Sequence, residues 1–217
     1  FGLNAVTLRL FSVLGVLSTI ILGYFTGQRI FGKQGAIYFC LMLISLPMLA
    51  VYSHQARMYT WAAFSITGVF FYSYLFIKSG KNNDLLLLFT FTLIAIYIHY
   101  YSMVAALVAN LVVFLHLLRT KNIRWLHHLF SLLSAVILFL PWLPMFIIQV
   151  KRVQHAYWVP EVSFTTVLHC FAIPFTEQFW TTGYSIAMVI FIYGLIFFTI
   201  FKSRKKEAED FKNWVLT

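Results

Sequence analysis

Residues 85–118 read LLLLFTFTLIAIYIHYYSMVAALVANLVVFLHLL, a run without a single Lys, Arg, Asp or Glu. The hydrocarbon core of a bilayer takes about 20 residues of α-helix. The run is therefore too long for one crossing and suits two, over 85–98 and 103–118, with His99-Tyr100-Tyr101-Ser102 turning the chain between them. Charge returns at once on either side, in Lys81 and Asp84 before it and in Arg119 and Lys121 after it. A backbone inside hydrocarbon must satisfy its own hydrogen bonds, which a helix does within one segment. The pattern predicts an all-α chain that crosses a membrane repeatedly.

Working outward, similar apolar stretches cover 8–26, 35–52, 58–77, 129–148 and 184–201, which makes a polytopic bundle of about seven spans. Each is apolar on all faces, so no amphipathic period fixes its ends. Of the 217 residues, 61% are hydrophobic and 10% charged, against roughly 45–50% and about 25% in soluble proteins. Nothing is left over for a soluble domain, and the reading is one transmembrane domain over 1–217. Two cysteines exclude a disulfide-stapled scaffold. Aromatics at 19% exclude a disordered chain. The chain opens on Phe1-Gly2-Leu3-Asn4 with no charged leader before the first span, and the expectation is a piece of a longer protein whose amino-terminal part lies upstream.

The net charge of +10 would suggest nucleic acid in a soluble protein. Here the connectors explain it, and no nucleic-acid partner is expected. The alternate loops 28–34, 78–84 and 119–128 and the tail 202–217 hold twelve of the sixteen basic residues. The other side receives Arg9, Arg57, Lys151 and Arg152. The positive-inside rule then puts the tail in the cytoplasm and the turns 53–57 and 99–102 outside, together with a long connector over 151–183. That connector mixes Trp158, Phe171, Phe175 and Trp180 with polar residues, and reads as an interfacial or re-entrant segment.

Polar chemistry gathers on this outer face. Arg57 and His54 lie in Tyr52-Ser53-His54-Gln55-Ala56-Arg57-Met58-Tyr59, with no Asp or Glu within twenty residues. An arginine at membrane depth costs roughly 2.5–3.5 kcal/mol. Its partner is a distant acid, a lipid headgroup or a substrate phosphate, and its planar fork suits phosphate; it could equally snorkel to headgroups. His99 with Tyr100 can donate to a sugar or phosphate oxygen, bind a metal or satisfy itself. A divalent metal would need further ligands, for which Glu161, His169 and Glu177 are present without diagnostic spacing. Tyr59, Lys151 and Arg152 complete the candidate set.

Other features read as structural. Pro141 and Pro144 interrupt the sixth span and predict a kink; the kink serves packing or opens a lipid-accessible cavity. Asn82-Asn83-Asp84 looks like a turn and helix cap. Gly23 and Gly27 match small-xxx-small packing. Cys40, Cys170, His116, His127 and His128 carry no motif. Phosphate loops, G-x-S-x-G elbows and H-E-x-x-H pairs are absent.

Four of these segments together resemble the polytopic GT-C glycosyltransferases, especially bacterial relatives of protein O-mannosyltransferases and of lipid A aminoarabinose transferases. They are Phe1-Gly2 leading to Leu8-Arg9-Leu10-Phe11-Ser12, then the segment Tyr52 to Tyr59, then Tyr97-Ile98-His99-Tyr100-Tyr101, then Pro141-Trp142-Leu143-Pro144 with Gln149 and Tyr157-Trp158. The likeness runs in order over about residues 1–160. It implies an inner-membrane enzyme that moves a sugar from a polyprenyl-phosphate donor to a protein, lipid or glycan acceptor on the extracytoplasmic face. The family's catalytic carboxylate lies in its first external loop, which would fall upstream of Phe1, so no residue here is assigned as the base. Gln55 stands where relatives commonly carry Glu, removing a charge that a metal could use. The resemblance makes Arg57 the first candidate to meet the departing phosphate, with Lys151 and Arg152 behind it, and has His99 and Tyr100 orient phosphate or sugar.

A polyprenyl-lipid transporter or channel component is the competing class. It predicts ionisable residues buried midway through several spans, whereas here they cluster at one face. A purely structural bundle would leave the Arg57 and His99 turns unexplained.

Overall fold

The computed structural model describes residues 4–155, 190–194 and 196, and every described element is helical. In order these are α1 Ala5–Ser45, α2 Pro47–Ser53, α3 Tyr59–Ser79, α4 Asn82–Ile98, α5 Tyr100–Arg119, α6 Arg124–Phe139, a 3-10 turn Leu140–Trp142, and α7 Leu143–His155. Four stretches are long and apolar enough to cross a membrane: Val6–Ser45, Tyr59–Ser79, Tyr100–Arg119 and Arg124–Arg152. The shorter α4 is equally apolar. The expectation of an all-α transmembrane bundle holds. The seventh predicted span and the connector beyond residue 155 lie outside the described residues, apart from the helical positions 190–194 and 196.

Among the described residues, 4–43 and 52–155 form one unit, and Ile44–Val51 belong to another. In the second, the helix stops at Leu46 because Pro47 opens α2, where its fixed φ suits a first turn. The predicted span 35–52 is therefore broken.

Gly32 splits α1 into two arms. Its φ of 75° is open to glycine and costly for other residues, and helix continues on both sides of it. The arms pack against one another in opposite directions: the Cys40 thiol reaches the carbonyl of Ile20 at 3.5 Å, and a Cβ at Gly27 would touch Ala36. The connector expected over 28–34 is thus a single reversal point. The buried positions on the first arm are Ser12, Gly15, Thr19, Gly23, Thr26 and Gly27, at helical spacing. Its large apolar side chains, such as Phe11, Leu14 and Ile21, point outward. Hydrocarbon gives no hydrophobic reason to bury Leu, so close approach of small residues and polar contacts hold helices together.

The same rule governs the centre. A Cβ at Gly68 of α3 would overlap the Phe91 ring of α4, and Ala95, Ala106 and Ala109 let α4 and α5 meet. Asn110 donates to Thr92 Oγ1 at 3.0 Å and to the Ala106 carbonyl. His128, wholly buried, donates from Nε2 to the Asn110 carbonyl at 3.2 Å. It is a structural histidine, as its place in the sequence suggested.

The basic connectors meet at one end of the bundle. Arg29 donates to Asp84 at 2.8 Å, and the Arg124 guanidinium lies over Gly80, whose φ of 60° closes α3. Asp84 corrects the reading of Asn82-Asn83-Asp84 as a cap. Its side chain is buried and holds Arg29 and the Ser79 hydroxyl rather than the free amides of α4.

Candidate functional site

At the opposite end, the turn 54–58 and the corner at His99 come together. The turn is fixed from below. Ser12, fully buried on α1, donates to the carbonyls of Gln55 at 2.5 Å and Arg57 at 3.1 Å. Gly15 makes this possible, since a Cβ there would sit 2.6 Å from Thr60 Oγ1. Trp61 Nε1 donates to the Phe11 carbonyl at 2.9 Å and locks the start of α3 against α1.

Tyr59 is the bridge between turn and corner. Its ring lies 4.7 Å from Tyr52 and 5.5 Å from His99, centroid to centroid. Its hydroxyl accepts from Arg57 Nη1 at 3.3 Å. Arg57 meets no carboxylate among the described residues, so the distant acid considered from sequence is absent from that part of the chain.

His99 is a single extended residue between α4 and α5. Its Nδ1 accepts from the Tyr101 amide at 3.2 Å, capping α5. That acceptor role assigns the ring proton to Nε2. Burial pushes the His99 pKa below its ordinary value, since desolvation disfavours the cation. His99 is therefore a neutral ring with one N–H to offer.

The far wall comes from the broken sixth span. Pro141 has no N–H and cannot continue the helix, so α6 ends, tightens into the 3-10 turn and restarts as α7. The carbonyls left at such an end need donors, and the Tyr97 hydroxyl supplies one to Leu138. The Tyr97 ring also faces Trp142. Tyr100 donates to Gln149 Oε1 and packs edge-on against Phe146, 5.3 Å away.

Two recesses at this end hold most of the sequence-predicted set. One, of about 480 Å³, is lined by Met58, Ile96 to Tyr100, Trp142, Gln149 and Arg152. The other, of about 590 Å³, is lined by Leu8, Arg9, His54, Gln55, Ala56 and Arg57. The structure thus distributes the sequence-predicted set: His99, Tyr100 and Arg152 share the first, His54 and Arg57 the second, and Arg57 and Tyr59 also line a third of about 410 Å³ with Phe11 and Met58. Lys151 is exposed on α7 and lines none of them. Arg9, Trp142 and Gln149 are additions. Gln149 carried a faint signal as a polar residue ending an apolar span; Arg9 needed the knowledge that α1 and α3 run side by side. Among the described residues no three His, Cys, Asp or Glu side chains converge to hold a metal ion. Glu161, His169 and Glu177, which a metal would have needed as further ligands, lie outside those residues.

Fold and site together define a polytopic α-helical membrane protein with polar, aromatic recesses at one end of its bundle. Compared with known proteins, the chain matches no family model, no curated protein and no solved structure.

Proposed function

We propose that this chain belongs to an integral membrane glycosyltransferase that takes a sugar from a polyprenyl-phosphate donor on the extracytoplasmic face. The observation that carries the reading is the recess holding Arg152, His99, Tyr100, Gln149 and Trp142, at the end of the bundle away from the basic connectors. It pairs one cation with neutral donors and an aromatic face. That is the chemistry needed for a phosphate joined to a sugar.

In this reading Arg152 meets the phosphate, on which negative charge builds as the bond to the anomeric carbon breaks. His99 Nε2–H and the paired Tyr100 and Gln149 hold sugar hydroxyls. Trp142 and Tyr97 face the sugar or the first prenyl unit. Arg57 acts at one remove, by holding the Tyr59 ring against His99. A base is not assigned to any residue of this chain. The mid-span polar groups Thr92 and Asn110, and Thr26 and Tyr72, are used up in contacts with one another, which favours a one-sided site over a transport pathway.

The test is release of polyprenyl phosphate from radiolabelled polyprenyl-phosphate mannose and aminoarabinose by the full protein in proteoliposomes. Release that falls at least about a hundredfold in Arg152→Ala, from loss of one charged transition-state contact, supports the proposal. Equal release from Arg152→Ala and from the wild type would overturn it.

A further inference from the structure

We infer that Arg9, His54 and Arg57 form a second site, for a phosphate group, separate from the recess around His99. The inference does not rest on the glycosyltransferase reading. Arg9 comes from the second turn of α1 and Arg57 from the turn before α3, and the fold brings both to one recess of about 590 Å³ that His54 also lines. None of the lining residues is acidic. Two guanidiniums at one recess repel each other, and more strongly as the surroundings lose water. The same chain shows how it neutralises an arginine where it means to: Arg29 is given Asp84.

Arg9, His54 and Arg57 are all exposed, so the recess opens at the surface. The Arg57 backbone is held by the buried Ser12 hydroxyl, and one edge of its guanidinium is committed to Tyr59. The Arg57 side chain also lines the recess. Arg9 forms no hydrogen bond or ion pair among the described residues. The amides at the start of α1 do not serve the ligand, because Asn4 Oδ1 already accepts from the Thr7 amide at 2.8 Å. The cations are the two side chains. Planar guanidiniums take phosphate oxygens in pairs, so the ligand is a phosphate carried by a lipid headgroup or by a water-soluble ester.

Native mass spectrometry of the full protein, released from nanodiscs containing phosphatidylglycerol, tests this. The wild type is expected to keep one phosphatidylglycerol, and Arg9→Gln and Arg57→Gln each to lower its occupancy about tenfold, while Lys151→Gln, in neither recess, keeps it. Displacement by millimolar inorganic phosphate would assign the site to a soluble phosphate, and resistance would assign it to a lipid. If either variant fails to fold, Arg9→Lys and Arg57→Lys replace it; charge without the fork should give intermediate retention. Equal retention in the wild type and in all Arg9 and Arg57 variants would overturn the inference.

Discussion

The buried hydroxyl of Ser12 holds the carbonyl of Arg57 at 3.1 Å, forty-five residues along the chain. The same hydroxyl reaches Gln55, so one small side chain on α1 sets the turn from which Arg57 projects. Ser12→Ala takes the side-chain donor from the Arg57 carbonyl, while the Gln55 carbonyl keeps the Arg57 amide at 2.8 Å, a loss of about 0.5–1.5 kcal/mol for a part-buried hydrogen bond. The expected outcome is a lower thermal midpoint with unchanged helical content, and weaker phosphate retention at the Arg9 and Arg57 recess. Unchanged retention would show that the turn holds its shape without this contact.

Arg29 and Asp84 make an uneven pair: the Asp84 side chain is 2% exposed and that of Arg29 is 44% exposed. Removing the arginine strands a carboxylate indoors, whereas removing the carboxylate leaves an arginine that can reach water or headgroups. Breaking a fully buried pair costs about 3–5 kcal/mol. With one partner half exposed, Arg29→Ala should cost about 2 kcal/mol, Asp84→Ala less, and the double variant less than Arg29→Ala alone. Thermal unfolding of the purified variants in one detergent gives the order. A double variant worse than Arg29→Ala would refute the argument.

The class of fold was legible because lipid imposes length and apolarity, which residues 85–118 display directly. Which face of each helix turns inward was not, since Leu and Phe are equally at ease in lipid. The signal was in the small residues, Ser12, Gly15, Thr19 and Gly23, and a search for hydrophobic periodicity passes over them. For the same reason the candidate residues could be placed at one end but not sorted. Arg57 and His99 read as two clusters on one outer face, and the structure joins them through Tyr59. Asp84 read as a helix cap because its partner, Arg29, lies fifty-five residues away.

Pro141 positions the far wall of the His99 recess through the break it forces between α6 and α7. Pro141→Ala combined with Pro144→Ala lets the helix run on, which rotates Trp142 and Gln149 away from Tyr97 and Tyr100. A proline inside a helix costs about 3 kcal/mol, so the double substitution should leave stability unchanged or raise it. Donor turnover should fall at least about tenfold, since small misplacements are expensive in a reacting geometry. Unfolding and transfer measured on the same preparation would separate the two effects. Full transfer by a straightened helix would remove the kink from the site.

His99 gives the site a pH dependence whose sign follows from its surroundings. Burial lowers its pKa from 6.5, so the unfolded chain binds the proton more readily than the folded one. Stability then rises with pH: the contribution is complete above about 6.5 and is lost as pH falls toward the depressed folded value. Protonation also takes away the Nδ1 lone pair that caps α5 at the Tyr101 amide, which acts in the same direction. Asparagine caps a helix without titrating. In His99→Asn the fall in thermal midpoint below pH 6.5 should therefore shrink, with the midpoint at higher pH nearly unchanged. Other histidines contribute equally to both proteins, so the difference between the two curves isolates His99. Parallel curves would mean that His99 is as free to protonate in the fold as outside it, and would take away the neutral donor that the proposed sugar contact requires.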